Sequence, residues 1–207
     1  MKVLAIVGAS GHGGVVADIA ECLGYEKIVF FDDAWPELDK FHHWNVIGNT
    51  DSLIADISKY DECFVAIGNC KTRTEKTRLL LKKGAKIPTL IHPSSTISKY
   101  VNIGQGSIVC EGAIIKAFCS IGDACIINTG ATVGHDVNVG NGVHISLGSN
   151  IAGAVEIQDN SWIGIGSTVK QGVYIGREVM VGAGAVVIRD VDDLNTVVGC
   201  PARPIVK

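Results

Sequence analysis

The chain has 207 residues, 47% of them hydrophobic, which suffices for one large domain or two small ones with a substantial core. A formal net charge of -3 supplies no basic surface, which argues against nucleic acid and anionic membranes as partners. The first apolar run, Val3 to Val7, breaks into glycines, and no stretch approaches the roughly 20 apolar residues that span a bilayer, so a cytoplasmic protein is expected.

Residues 1–91 read as alternating β and α elements. Val3–Val7 suits a buried strand, Gly8-Ala9-Ser10-Gly11-His12-Gly13-Gly14 a turn, and Val15–Leu23 a helix. A second strand over Ile28–Phe31 ends in Asp32-Asp33. A helix near Ser52–Ile57, a strand at Cys63–Ile67, a turn at Gly68-Asn69, a basic helix over Thr72–Lys83 and a strand near Thr89–Ile91 follow. This order predicts a small parallel sheet with crossover helices. A glycine-rich turn between strand and helix lets backbone N–H groups approach a phosphate. The spacing GASGHGG departs from G-x-G-x-x-G, so the turn alone is a weak dinucleotide signal. The acids ending the second strand are either a solvated strand end or acceptors for a ribose or base edge. Turn and acids together, in some 90 residues, suit a mononucleotide or nucleotide sugar better than a dinucleotide.

Residues 92–207 obey a different period. Stepping by six from Ile97 to Val187 meets sixteen positions, and every one holds Ile or Val. Two residues earlier sits a smaller residue, such as Ser107, Cys119, Cys125, Ala131, Ser149 or Ser161. Glycine recurs immediately afterwards, at Gly104, Gly122, Gly134, Gly140, Gly164, Gly176 and Gly182. Residues two apart share a strand face, so the pattern predicts short strands stacking one inward face, with glycine allowing the turns between them. Three sides of six residues make a triangular coil of eighteen, and sixteen repeats give a little over five coils. The helical period of 3.6 fails here. Pro201 and Pro204 end the regular repeat.

Seven cysteines, scattered and with no C-x-x-C pair, read as reduced and mostly buried. His42 and His43 fall in a polar stretch expected at the surface, and His92 precedes Pro93 at the domain junction. His12 lies in the glycine turn. His135, two residues after the inward Val133, stands beyond the strand near a corner, where spacing alone leaves open a solvated or a functional histidine. His144 precedes the inward Ile145 and so points outward.

The stepped repeat resembles that of the hexapeptide-repeat acyltransferases, whose β-helices are left-handed and which act as trimers with active sites between neighbouring prisms. Over the whole chain, GASGHGGVVADIA, FFDD, AIGN and INTGATVGHD, ahead of an uninterrupted β-helix, resemble the sialic-acid O-acetyltransferase family. The nearest branch is the nucleotide-diphospho-4-amino-sugar N-acetyltransferases of bacterial glycan biosynthesis. The resemblance implies a small Rossmann-like α/β domain followed by a left-handed parallel β-helix, acetyl-CoA as co-substrate, no metal, and a homotrimer. It assigns the UDP-sugar to Ser10, Gly11, His12, Asp32, Asp33 and Gly68, with Asn69 and Arg73 as additions. It makes His135 the general base and Asp136 the acid that orients it, although the closest members carry Glu there. His144 is implied as an acetyl-CoA contact, Ile165 and Ala183 as lining for pantetheine, Gly153 as near the thioester, and Asn128 as beside the acceptor amine. Arg203 and Lys207 either meet CoA phosphates or belong to a capping segment. Many hexapeptide enzymes carry a loop projecting from the prism. This register has no such insertion, which leaves acceptor binding to the N-terminal domain. O-acetylation of a sialic acid or another sugar is the alternative within the class. A γ-type carbonic anhydrase, which needs three His ligands, and a non-catalytic nucleotide-sugar sensor are alternatives outside it.

Overall fold

The computed structural model describes residues 2–205, which divide into two compact units between Leu90 and Ile91. The first unit is built on a three-stranded parallel sheet. Strand β1 (Val3–Val7) lies centrally, with β2 (Lys27–Phe31) on one side and β5 (Glu62–Val65) on the other. Val3 pairs with Lys27 and Leu4 with Glu62. Both pleat faces are buried: Ala5, Val7, Val29 and Val65 on one, Leu4, Ile6, Phe30 and Phe64 on the other. Crossover helices require that, and it is why these strands read as continuous apolar runs.

Helix α1 (Gly11–Cys22) starts four residues earlier than the pattern of large residues suggests. Its first turn is made of the glycines read as a turn. A Cβ on Gly13 would stand 2.2 Å from the Gly8 carbonyl oxygen, so only glycine lets this turn lie against the end of β1. After β2 the chain forms a hairpin not foreseen in the sequence, β3 (Lys40–Phe41) and β4 (Trp44–Asn45), whose Phe41 and Trp44 pack on Phe30 with ring centroids 5.4 and 5.6 Å apart. Helices α2 (Thr50–Ala55) and α3 (Cys70–Lys82) follow. Each is opened by an asparagine: the Asn49 side chain accepts from the Ser52 N–H at 2.9 Å, and Asn69 from the Thr72 N–H at 3.0 Å.

The second unit is a parallel β-helix. One face stacks Ile97, Ile115, Val133, Ile151, Val169 and Val187; the next Ile103, Ile121, Val139, Ile157 and Ile175; the third Val109, Ile127, Ile145, Ile163, Val181 and Val197. Every stepped residue from Val109 to Val187 is at most 5% exposed. The last coil is shorter. Val191 bridges Ile175 and Val197 pairs with Val181, steps of sixteen residues instead of eighteen, and the antiparallel pair Val197–Pro204 follows.

The glycines divide into two sets with different causes. Those immediately after the inward residue have ordinary φ and were not placed for turning, contrary to the sequence expectation. A Cβ on Gly104, Gly134 or Gly164 would come within 2.7 Å of backbone atoms in the next coil, so this set serves close stacking. The turn itself falls two residues later, where φ is positive: Gly112, Gly130, Gly148 and Gly166, and also Phe118, Asp136 and Glu178. The small position also has a second role. The side chains of Ser107, Cys119, Cys125, Ser149 and Ser161 donate to the carbonyls of Gly122, Gly134, Gly140, Gly164 and Gly176, at 2.6–3.1 Å. These corner carbonyls, part-buried or buried, thereby find partners inside the prism. Five of the seven cysteines are buried, and burial pushes the Cys63 and Cys110 thiols up to about 11 and about 12.

Candidate active site

The corner after strand Thr132–Val133 carries His135 and Asp136. Its backbone is pinned on both neighbours: the Asp136 N–H donates to the Ala117 carbonyl at 3.1 Å, and the Ala154 N–H to the His135 carbonyl at 2.9 Å. Asp136 takes the positive-φ corner conformation, φ 58°, which Asp tolerates better than most residues. That conformation turns its carboxylate back onto the preceding side chain, and His135 Nδ1 lies 2.7 Å from Asp136 Oδ2. The shorter acid therefore reaches the imidazole directly. A carboxylate only accepts, so Nδ1 is the donor, and in the neutral ring Nε2 keeps its lone pair. The two side chains are 69% and 57% exposed, open to an incoming reactant. Gly153 lies one coil on, directly beneath the ring.

A second corner follows strand His144–Ile145 and its stacked neighbours. The Asn128 amide Nδ2 lies 3.1 Å from His144 Nε2, and its Oδ1 accepts the Thr129 N–H at 2.8 Å, which fixes which end of the amide faces the imidazole. His144 does stand outside the prism interior, yet it is buried, with its ring 4.2 Å from that of Trp162. Ile165 and Ala183 occupy successive coils of this corner and are exposed. Within one chain, then, His135, Asp136 and Gly153 share one corner, while Asn128, His144, Ile165 and Ala183 share another.

The N-terminal unit holds a cleft of about 330 Å³ at the carboxyl ends of its strands, lined by Val7, Gly8, Ser10, Asp32, Asp33, Ile67, Gly68, Thr72 and Lys76. Ser10, Asp32, Asp33 and Gly68 are thus brought together. Both acids are engaged, although the Asp33 side chain also stays exposed. Asp32 accepts from the Ala9 N–H at 2.8 Å and the Ala34 N–H at 3.0 Å, tying the end of β2 to the glycine turn. Asp33 accepts from Lys76 Nζ at 2.8 Å and the Thr50 hydroxyl at 2.6 Å, and those bonds hold its carboxyl down at about 2.

Four other expected residues lie off this lining. Gly11 begins α1, and Asn69 is spent capping α3. Arg73 is 1% exposed and donates through Nη1 to the carbonyls of Ile67 and Gly68 at 2.8 Å, so it braces the turn from behind. His12 sits in the first turn of α1 with Nε2 buried, and burial, with the nearby Arg73 charge, lowers its pKa to about 4. Lys76 and Thr72 escaped the sequence reading. Their spacing of four on α3 puts both on one helix face, the one signal available. Arg203 is exposed and lines a small cavity of about 170 Å³ beside Arg189; Lys207 lies outside the described residues. Among the described residues, no group of three His, Cys, Asp or Glu side chains is placed to hold a metal ion. No helix among them is long and apolar enough to cross a membrane.

An α/β unit with a strand–glycine–helix cleft, followed by a hexapeptide β-helix with a histidine–carboxylate corner, defines the class of hexapeptide-repeat acyltransferases. Residues 3–80 match the PglD N-terminal domain family, and residues 154–189 the bacterial transferase hexapeptide (six repeats) family. The acetyltransferase domain of PglB from Neisseria gonorrhoeae FA1090, solved with acetyl coenzyme A, is 41% identical, with a TM-score of 0.94 over 99% of each chain. The H141N mutant of perosamine N-acetyltransferase from Caulobacter crescentus, solved with CoA and GDP-perosamine, is 32% identical, with a TM-score of 0.95 over 100% of this chain and 98% of that one. A curated relative, UDP-N-acetylbacillosamine N-acetyltransferase of Bacillus subtilis, is 37% identical over 116 residues; the match spans 53% of this chain and 51% of that protein, about half its length. The chain belongs to the PglD-like hexapeptide acetyltransferases, with their left-handed parallel β-helix.

Proposed function

We propose that the protein transfers the acetyl group of acetyl-CoA to the amine of a nucleotide-linked 4-amino-4,6-dideoxy sugar, with a UDP sugar as the acceptor, in bacterial glycan biosynthesis. The observation that carries this reading is the His135–Asp136 pair: Nδ1 is engaged at 2.7 Å, and Nε2 is left as an exposed base. The sugar amine attacks the thioester carbonyl carbon, Nε2 takes the proton the amine sheds, and the C–S bond breaks with that proton passed on to the departing sulfur, which leaves as the CoA thiol. Asp136 holds the imidazole in the tautomer that can accept, and faces the positive charge that develops on it. No covalent acyl-enzyme is required, which agrees with the burial that pushes the Cys63 and Cys110 thiols up.

The nucleotide is assigned to the cleft of the N-terminal unit, where Asp33 and Lys76 offer an acceptor beside a donor, and the strand ends are where open α/β sheets take ligands. Acetyl-CoA is assigned to the corner of Asn128, His144, Ile165 and Ala183. That corner and the His135 corner are separate in one chain, which supports a homotrimer in which one copy's donor corner faces its neighbour's base. The relatives solved with acetyl coenzyme A, or with CoA and a nucleotide amino sugar, support the same pairing of substrates.

The test is thiol release from acetyl-CoA with UDP-4-amino sugars, a GDP-4-amino sugar and free sialic acid as acceptors, with the product identified by mass. We expect turnover with a UDP-4-amino sugar, falling on the order of 10²- to 10⁴-fold in His135→Ala, the usual contribution of a general base. Turnover with the hydroxyl acceptor alone overturns the amine assignment, and an unchanged His135→Ala rate overturns the base.

A further inference from the structure

The residues standing two places after each inward Ile or Val form one column along the prism's corners. It runs Lys99, Gln105, Glu111, Ala117 and so on to Arg189, and among these sixteen positions Gly153 is the single glycine. The fold does not ask for glycine there. Gly153 has ordinary φ, unlike the corner glycines one place later. Nor does a backbone press on it, as one does on Gly134 and Gly164. The three atoms nearest to a Cβ on Gly153 would all belong to the His135 ring: Cε1 at 2.7 Å, Nε2 at 2.7 Å and Cδ2 at 3.2 Å. Real Cβ contacts do not come so close.

From this we propose that Gly153 is a positioning residue for the base, its missing side chain being the seat on which the imidazole lies. The inference rests on the proposed role of His135. The ring is held from two sides, by Asp136 at Nδ1 and by the flat surface of Gly153 beneath Cε1 and Nε2. A methyl at 153 lifts the edge that bears Nε2, and the 2.7 Å contact at Nδ1 cannot survive that rotation unchanged. Because His135 is exposed, the ring swings outward freely, so the prism is not strained. Loss of position without loss of stability is what separates this reading from a packing role.

Gly153→Ala is therefore made both in the natural chain and on His135→Ala, and kcat and both KM values are measured together with the thermal midpoint. In the natural chain we expect kcat to fall about 10- to 100-fold, the scale on which a displacement of roughly 1 Å acts, with the midpoint and the acetyl-CoA KM unchanged. On the His135→Ala background we expect no further loss. An equal loss on both backgrounds, or a raised acetyl-CoA KM, shows that Gly153 serves the donor and overturns the proposal. So does a natural kcat. If the natural chain releases no thiol with any amine, it is the proposed reaction that fails, and the seat is then read from the His135 ring ¹⁵N shifts at alkaline pH. A protonated Nδ1 and unprotonated Nε2 in the natural chain, averaging in Gly153→Ala, support the seat; identical shifts overturn it.

Discussion

Removing the carboxylate of Asp136 should cost catalysis far more than stability, and the structure says by how much. The contact to His135 Nδ1 is short, 2.7 Å, but the side chains are 69% and 57% exposed. Solvent screens such a pair, so in the resting enzyme it contributes no more than roughly 0.2–1 kcal/mol, and Asp136→Ala should leave the unfolding midpoint nearly unmoved. In the transition state the imidazole gains a proton, and the contact becomes a charge-assisted hydrogen bond worth roughly 1.5–3 kcal/mol. At about 1.36 kcal/mol per tenfold in rate, its loss lowers kcat about 10- to 100-fold, less than removing the base itself. Asp136→Glu is the informative companion. Glu178 already holds φ 53° at an equivalent corner position, so a glutamate is compatible with this backbone and should keep most of the activity. The assay is steady-state thiol release for each variant, alone and combined with His135→Ala. If Asp136→Ala stays within about twofold of the natural kcat, or costs as much without His135 as with it, the orienting role is refuted.

The remaining expectations concern the N-terminal unit. Lys76→Ala should raise the KM for the nucleotide sugar about tenfold or more while kcat moves little, since Lys76 lines the cleft and one charge-assisted bond is worth roughly 1.5 kcal/mol or more; steady-state kinetics with varied acceptor decides, and an unchanged KM removes the cleft from acceptor binding. His12 has a folded pKa of about 4 against 6.5 ordinarily, so between those values the unfolded chain binds more protons and stability falls as pH falls, by about 3 kcal/mol in all. The loss begins below pH 6.5 and is complete near pH 4. Urea unfolding at several pH values should show this slope flattened in His12→Asn, and parallel slopes in the two proteins would contradict it.

The prism was legible because its rule is simple: a narrow interior admits one branched residue per side, so each step of six is tested sixteen times along the chain. What stayed hidden was the cause of each glycine. Composition cannot distinguish Gly134, which must clear the backbone of the next coil, from Gly130, which must take φ 65°. Nor can it tell that Ser161 and Cys125 share one job, giving a corner carbonyl its donor. The N-terminal unit is not periodic and was read less well. The acids after β2 were visible, but not that Asp32 accepts from the Ala9 and Ala34 N–H groups while Asp33 faces Lys76. That Arg73 is buried and braces two carbonyls was not legible either, because such an arginine has no sequence signature. Periodicity supplies its own internal control that a domain such as this lacks. Where a column of equivalent positions is known, a residue departing from it with no backbone cause must answer to a neighbouring side chain. Gly153 departs in that way and His135 is the neighbour, so the repeat that makes the scaffold recognisable also exposes the position at which the scaffold gives way to the reaction.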